Sequence, residues 1–288
     1  MTPIKYSILL IFISIYSVYG LPNWAWDFGW YDKYCMTTVT NVSEKIQFIG
    51  RYRTAINNNS YDYCAYLGIP YAMPPTGNRR FKPPEPYLYN ETNKYVRARD
   101  LGEVCVQRND KGEITGSEDC LFLNIYTPNI DTRPSNKYPV MFFIHGGSFN
   151  SGSGSHKIYG PDYLVSQDVI LVTFNYRLGV FGFLSNPDWE IYGNMGLKDQ
   201  RLALKWIHEN IESFGGDKDR ITIFGESAGA ASVHYLMMDN STSKYYARAI
   251  LQSGSAPNPW AVQIAPKKVI NRRLVNITRI YDCLVVHK

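Results

Sequence analysis

Long hydrophobic runs are almost absent from this 288-residue chain. After the first twenty residues, no stretch approaches the ~18 consecutive apolar residues that a membrane-spanning helix requires, so we expect no transmembrane segment. Residues 1–20 hold the one marked apolar run, which follows Lys5 and ends before the small residue Gly20. This arrangement is typical of a signal peptide, and the run is too short to cross a bilayer. We therefore expect a secreted, extracellular protein whose mature chain is residues 21–288.

An excess of one charge is also missing from most of the chain. The 30 basic and 25 acidic side chains balance except in residues 260–288, which hold six of the basic residues and one acidic residue. A chain without a broad positive surface is not expected to bind nucleic acid. Its apolar content of 45% is enough for one large or two smaller hydrophobic cores. The sequence carries no signal for an oligomeric state.

Cysteines and glycosylation sequons both agree with secretion. The sequons would accept glycans in the secretory pathway, and their asparagines are Asn41, Asn58, Asn90, Asn240 and Asn276. The cysteines are Cys35, Cys64, Cys105, Cys120 and Cys283. Because an oxidising compartment favours disulfides, the odd number predicts that at least one cysteine lacks a partner within the chain.

Uninterrupted apolar runs in the second half predict a parallel sheet. A strand without alternation is buried on both faces, and the four runs are PVMFFIHGG, DVILVTFNYR, RITIFGES and RAILQSG. Between the second and third runs, LKDQRLALKWIHENIESFGG has apolar residues at helical spacing before a Gly-Gly stop. This order predicts an α/β fold. Residues 37–71 alternate in short runs that predict antiparallel strands, and a proline-rich loop follows them.

The pentapeptide GESAG, Gly225 to Gly229, predicts a nucleophilic serine. It lies directly after a buried strand and before the helix-forming AGAASVHYLMM, which is the strand–turn–helix context of the GxSxG elbow. Side chains at the two glycine positions would collide where strand and helix approach each other. The turn would lift Ser227 to a helix N-terminus, where main-chain N–H groups stabilise developing negative charge.

Seven motifs along the chain resemble those of the type-B carboxylesterases, the group that includes insect alpha-esterases and cholinesterases. In order they are GIPYAMPPTGNRRF, SEDCLFLNIYTP, HGGSF, NYRLGVFGFLS, GNMGLKDQRLALKWIHENIESFGGD, GESAGAASV and LQSGSAPNPW. The resemblance runs from about Thr37 to about Cys283. It implies the α/β-hydrolase fold, with a mostly parallel central sheet flanked by helices. It also implies hydrolysis of small-molecule carboxylic esters through a serine acyl-enzyme, with no cofactor or metal.

Position by position, the resemblance makes Ser227 the nucleophile and assigns the oxyanion hole to the main-chain N–H groups of Gly147, Ser148 and Ala228. Ser148 stands where the family more often has a third glycine. A serine can still supply the main-chain donor, although its side chain narrows the loop. Loss of one such donor typically costs ~10² to 10³ in rate.

The resemblance also implies roles around this site. Trp260 resembles the family's acyl-pocket wall, with an ordinary core tryptophan as the alternative, and Glu226 either favours a cationic substrate or tunes the base. Cys105 and Cys120 match the family's first disulfide. The loop that they close, residues 106–119, contains no aromatic residue. A cation–π site for choline is therefore not expected, which favours a general carboxylesterase over a cholinesterase.

A general base and its acid are what the chain lacks after Ser227. A serine hydroxyl must lose its proton as it attacks, and this fold orders the triad as serine, acid, histidine. His234 lies seven residues into the helix, ~10 Å along its axis, and the Asp282–His287 pair has no separate elements to support it. In the family, acid and histidine lie beyond the equivalent of Lys288. We therefore expect the N-terminal half of an esterase, truncated and inactive alone, with a non-catalytic binding or adhesion homologue as the alternative.

Overall fold

A computed structural model describes residues 34–40, 45–56, 61–90, 92, 94–128, 137–186 and 190–262. Its strands are β1 (Tyr34–Thr40), β2 (Lys45–Thr54), β3 (Asp62–Pro70), β4 (Tyr95–Arg97), β5 (Gln107–Arg108), β6 (Ile114–Thr115), β7 (Phe122–Thr127), β8 (Tyr138–Ile144), β9 (Ile170–Phe174), β10 (Ser185–Asn186), β11 (Ile191–Tyr192), β12 (Gly216–Glu226) and β13 (Arg248–Gln252). Its α-helices are α1 (Asp162–Val165), α2 (Gly179–Phe183), α3 (Met195–Asn210) and α4 (Ala228–Met238). Short 3-10 turns occupy Gly77–Arg79, Ile211–Phe214 and Ser243–Tyr245. The predicted signal peptide, Asn41, Asn58, Asn276, Cys283, Asp282 and His287 lie outside the described residues.

Nine strands form one central sheet in the order β1-β2-β3-β7-β9-β8-β12-β13, with β4 paired to β2. The four apolar runs of the sequence become β8, β9, β12 and β13, and every ladder among them is parallel. All five residues of β9 are buried, as predicted for a strand that is covered on both faces. The predicted parallel order is therefore confirmed.

The burial prediction for the fourth run is wrong. β13 alternates between exposed and half-buried residues, and Ile250 is exposed. β13 pairs with β12, and no further strand follows it in the described sheet. An outermost strand is covered less than the strands inside the sheet, whatever its apolar content.

The other half of the sheet is antiparallel except for β4, which pairs with β2 in a parallel ladder. β2 pairs with β3, β3 with β7 and β7 with β9, all in antiparallel ladders. The strands β2 and β3 fall within the region that the sequence predicts as antiparallel strands. β7 joins the two halves of the sheet and lies inside the motif SEDCLFLNIYTP, for which the sequence predicts no strand. The sheet is consequently mixed, and its parallel half carries the elbow.

Helices α3 and α4 position the candidate site. The buried face of α3 includes Ala203, Leu204 and Ile207, which confirms the helical spacing read from the sequence. After Asn210 the helix tightens into a 3-10 turn. The helical segment ends at Gly215, whose φ of 86° is left-handed. α4 follows β12 after a single residue, Ser227, and buries almost all of its first two turns.

Two disulfides close neighbouring segments. Cys105 and Cys120 are bonded at 2.08 Å, as the resemblance implied. Cys35 on β1 is bonded to Cys64 on β3, which resolves a pairing that the sequence left open. All four cysteines are buried.

Candidate active site

Ser227 occupies the turn between β12 and α4 in a strained backbone conformation. Its φ of 56° and ψ of −120° lie in a region that non-glycine residues rarely adopt. Two main-chain hydrogen bonds hold it there, because its N–H donates to Gln252 O at 2.9 Å and its carbonyl accepts from Ala231 N at 3.1 Å. The half-buried serine therefore precedes the first residue of an 11-residue helix, where the helix dipole favours negative charge.

The glycines that flank the serine allow strand and helix to approach closely. A Cβ atom added at Gly229 would lie 2.0 Å from Ile144 O, and one at Gly225 would lie 2.5 Å from Gly229 C. A third close contact comes from Gly254, where a Cβ atom would lie 2.3 Å from Ser227 O. These distances support the collision that the sequence argument predicted, since main-chain atoms cannot yield as side-chain ends do.

The glycine-rich loop after β8, residues 145–154, lies against this elbow. A Cβ atom at Gly146 would be 3.3 Å from Ser227 Cβ and 2.7 Å from Glu226 O. The next residues leave the ordinary backbone regions, with φ values of 106° at Gly147 and 54° at Ser148. Ser148 is exposed, and its carbonyl accepts a hydrogen bond from Asn150 Nδ2 at 2.9 Å. The serine at this position is thus accommodated with its side chain outside the core.

Three main-chain donors beside the elbow remain available. Within the residues that the structure describes, the N–H groups of Gly147, Ser148 and Ala228 donate to no acceptor. Ala228 is fully buried, whereas Gly147 is half-buried. Unpaired amides next to an accessible hydroxyl are the kind of donors that stabilise an oxyanion.

His145 begins this loop as a buried, neutral ring. Its Nδ1 is 2.8 Å from Gly146 O, so Nδ1 carries the proton and donates it to that carbonyl. The ring stacks on Tyr176 at a centroid distance of 4.3 Å, and Tyr176 Oη donates to His145 O at 2.8 Å. Burial lowers the pKa of His145 to about 4. This side chain therefore supports the loop and is no base for Ser227.

Among the described residues, no base forms a hydrogen bond with Ser227. Over the described ranges, the Ser227 hydroxyl makes no hydrogen bond to another residue. His234 is half-buried on α4, and its Nδ1 accepts a hydrogen bond from Ala256 N at 3.2 Å. Asp239, just past the other end of α4, lies 3.5 Å from Arg201. Neither residue is engaged with the serine.

Glu226 and Trp260 occupy different environments. The exposed Glu226 is near Gly146, where an added Cβ atom would lie 2.9 Å from Glu226 Oε2. Burial chiefly, and the charge of Glu226 secondarily, raise the pKa of Tyr159, which places Glu226 within electrostatic reach of that ring as well. Trp260 is 50% exposed, so it is not the ordinary core tryptophan that was its alternative reading.

Two of the predicted glycan acceptors are described, and they differ. Asn90 is exposed, and its Oδ1 accepts hydrogen bonds from Thr92 N at 2.9 Å and Thr92 Oγ1 at 2.6 Å. Asn240 is also exposed, but Thr242 of its sequon is fully buried. The Thr242 hydroxyl donates to Leu236 O at 2.5 Å and lies 2.7 Å from Asp239 O.

The sequence model of the carboxylesterase family matches residues 41–283. The chain belongs to the carboxylesterase family. It is 49% identical over 211 residues to juvenile hormone esterase of Tribolium castaneum, covering 71% of this chain and 35% of that protein. It is 44% identical over 249 residues to a carboxylic ester hydrolase of Bombus ignitus, covering 84% of this chain and 43% of that protein. The chain therefore spans less than half the length of these relatives.

A solved carboxylesterase has the same architecture. The structure of juvenile hormone esterase from Manduca sexta with OTFP covalently attached matches with a TM-score of 0.74 and 34% identity, covering 88% of this chain and 49% of that one. The α/β-hydrolase fold that the resemblance implied is thereby confirmed. Among the described helices, none is long and apolar enough to span a membrane.

Sequence reasoning missed the polar side chains that form hydrogen bonds to the glycine-rich loop. Asn124 Nδ2 donates to Gly154 O at 3.0 Å and Thr173 Oγ1 donates to the same oxygen at 2.6 Å. Asn175 Oδ1 accepts from Gly154 N at 2.8 Å. The signal was present, because Asn124 and Thr173 interrupt the apolar strands β7 and β9, and buried polar side chains need partners.

Proposed function

We propose that this chain carries the nucleophile and the oxyanion site of a carboxylic-ester hydrolase. The observation that carries the proposal is Ser227, held at positive φ between β12 and α4 beside free main-chain donors. A strained serine whose hydroxyl has no hydrogen-bond partner in the described residues is costly for a purely structural turn. Membership of the carboxylesterase family and the named esterase relatives support the same reaction.

In the proposed acylation, Ser227 Oγ bonds to the carbonyl carbon of a small-molecule ester and transfers its proton to a general base, which later protonates the leaving alcohol. The carbonyl oxygen becomes an oxyanion, which accepts hydrogen bonds from the N–H groups of Gly147, Ser148 and Ala228. The tetrahedral intermediate collapses when the bond to the alcohol oxygen breaks, and the leaving alcohol takes a proton. Water then hydrolyses the acyl-serine, releasing the acid and restoring the hydroxyl.

We further propose that no residue in the described part of the chain is the base for this cycle, and that the 288-residue form is inactive as a true catalyst. Support comes from His145, whose proton is committed to Gly146, and from His234, whose Nδ1 accepts from Ala256. Without such a base, Ser227 can attack only after it loses its proton to hydroxide, so its acylation is slow at neutral pH.

We propose that the substrate is a small neutral carboxylic ester. We also propose that the chain is secreted and glycosylated. The loop of residues 106–119 offers no aromatic face for a quaternary ammonium group. Trp260, half exposed, would border the acyl side of the site.

Of the sequons described, Asn90 is the better acceptor, because both it and its threonine are exposed.

Hydrolysis of p-nitrophenyl acetate by the purified 288-residue chain tests both parts. We expect a slow rate that Ser227→Ala abolishes and that Ser243→Ala, an exposed serine in a distant turn, leaves unchanged. Without an imidazole base, the rate should rise with pH and show no inflection near the usual histidine pKa of about 6.5. Robust turnover with such an inflection would contradict the missing base. Equal rates in wild type and Ser227→Ala would contradict the nucleophile and favour a binding homologue.

A further inference from the structure

The loop that supplies the oxyanion donors is strained along its length. Four of its residues have positive φ values, at 106° for Gly147, 54° for Ser148, 60° for Phe149 and 109° for Gly152. Two of them are not glycines, and such conformations persist only where surrounding contacts over-determine them. The contacts that hold the loop therefore decide where the N–H groups of Gly147 and Ser148 point.

Gly152 is the point where the loop folds back on its own beginning. A Cβ atom there would lie 2.5 Å from His145 Nδ1 and 2.7 Å from Gly146 O. Gly146 in turn lies against Ser227. A displacement of Gly152 would therefore be passed directly to the segment that faces the elbow.

One side chain, Gln107, binds both main-chain groups of Gly152. Its Oε1 accepts from Gly152 N at 2.8 Å, and its Nε2 donates to Gly152 O at 3.0 Å. The same Nε2 also donates to Cys105 O at 2.9 Å. Both polar atoms of the amide are used, so its orientation is fixed by three hydrogen bonds.

Gln107 is itself firmly placed. It lies on β5, paired with Thr115 on β6, in the segment closed by the Cys105–Cys120 disulfide. Cys105, two residues earlier, is buried. The side chain that binds Gly152 thus extends from a segment closed by a disulfide. Gln107 and Gly152 are 45 residues apart along the chain.

We propose that Gln107 is a positioning residue for the oxyanion site, transmitting the rigidity of the disulfide-closed segment through Gly152 to the donors at Gly147 and Ser148. The proposal rests on the function proposed above. Gln107 does not touch the substrate. It sets the orientation of the amides and hence the rate at which Ser227 is acylated.

Acylation of Ser227 in the 288-residue chain by p-nitrophenyl acetate at alkaline pH tests this role. Hydroxide takes the serine proton, p-nitrophenolate leaves, and acetyl-Ser227 is quantified by peptide mass spectrometry. Gln107→Met keeps the side-chain length and removes all three hydrogen bonds. We expect acylation to slow by about 10- to 100-fold, somewhat less than the loss of a whole oxyanion donor. Arg108→Ala, which breaks a bond to Gly112 O within the same segment, should leave the rate unchanged.

Gln107→Glu supplies a readout that a merely structural residue would not move. An ionised carboxylate still accepts from Gly152 N but faces two carbonyl oxygens, whereas the protonated acid can donate to one of them. The acylation rate relative to wild type should therefore fall as the pH rises through the pKa of the introduced carboxyl, which is about 4.3 in model peptides and which the two facing carbonyl oxygens raise. The same ratio for Arg108→Ala should be flat. This comparison holds even if Gln107→Met does not fold.

The outcomes separate the two proposals. If Ser227→Ala releases p-nitrophenolate as fast as wild type, the proposed nucleophile is wrong. If Ser227→Ala is inert while folded Gln107→Met reacts at the wild-type rate, or the Gln107→Glu ratio stays at one across the pH range, the role of Gln107 is overturned and the nucleophile stands.

Discussion

Acidification should destabilise this protein through His145, the buried ring at the start of the glycine-rich loop. Burial lowers the pKa of His145 to about 4 in the folded chain, against 6.5 for an unperturbed histidine. Below pH 6.5 the unfolded chain therefore takes up a proton that the folded chain refuses. Stability is lost as the pH falls from about 6.5 to about 4 and levels off below that, where both states are protonated.

The size of the effect follows from the two pKa values. Their separation corresponds to about 3 kcal/mol in total. About 2 kcal/mol of this should already be lost between pH 7 and pH 4.5, because most of the titration of the unfolded state is complete there. A loss of this size is a large fraction of the stability of an ordinary domain.

Urea unfolding of wild type and His145→Asn at both pH values isolates this contribution. An asparagine amide can occupy the place of Nδ1 and keep the hydrogen bond to Gly146 O, although it loses the stacking on Tyr176. The variant should be less stable at pH 7 but lose about 2 kcal/mol less on acidification. Other acid-sensitive groups contribute equally to both proteins and cancel. The same pH slope in wild type and variant would refute the reasoning.

Three other predictions concern the elbow, an ion pair and the sequons. Gly229→Ala forces a Cβ atom to 2.0 Å from a strand carbonyl and should cost about 2 kcal/mol or more in urea unfolding; an unchanged midpoint would contradict the close approach. Asp199→Asn leaves the buried Arg177 without its counter-charge and should cost about 3 to 5 kcal/mol, whereas Asp239→Asn, from an exposed pair at 3.5 Å, should cost less than about 1 kcal/mol. Equal costs would show that burial does not matter here. A soluble N-glycosyltransferase with UDP-glucose should modify Asn90 in folded and urea-unfolded protein but Asn240 only when unfolded, since its threonine is buried; mass spectrometry detecting glucose on folded Asn240 would contradict this.

The parallel strands and α3 were predictable because their signals are local. An uninterrupted apolar run such as β9 has no solvent-facing side, and apolar residues at helical spacing produce the buried face of α3. Local signals failed for Ile250, because exposure at the outside of a sheet depends on which neighbours are present. They also failed for β7, whose antiparallel pairing to β9 joins segments that are far apart in sequence.

The candidate site divides in the same way. Ser227 and its two glycines were predictable, because a strand, a tight turn and a helix follow one another within a few residues. The roles of Asn175 and Gln107 were not predictable, since each residue binds the glycine-rich loop from a position distant in the chain. From the sequence, a glutamine in a polar hairpin is expected to be an exposed surface residue. Only the folded structure shows that it binds Gly152.

The sequence by itself determined the family, the parallel strands, the main helix and the serine at the elbow, because these depend on neighbours along the chain. The tertiary structure alone decided which amides near Ser227 donate to no acceptor among the described residues, that His145 is buried and neutral, and that a disulfide-closed segment binds the glycine-rich loop. Those features depend on distances between segments that only packing brings together. Hydrogen bonds and burial act over a few ångströms in space, however many residues separate the partners.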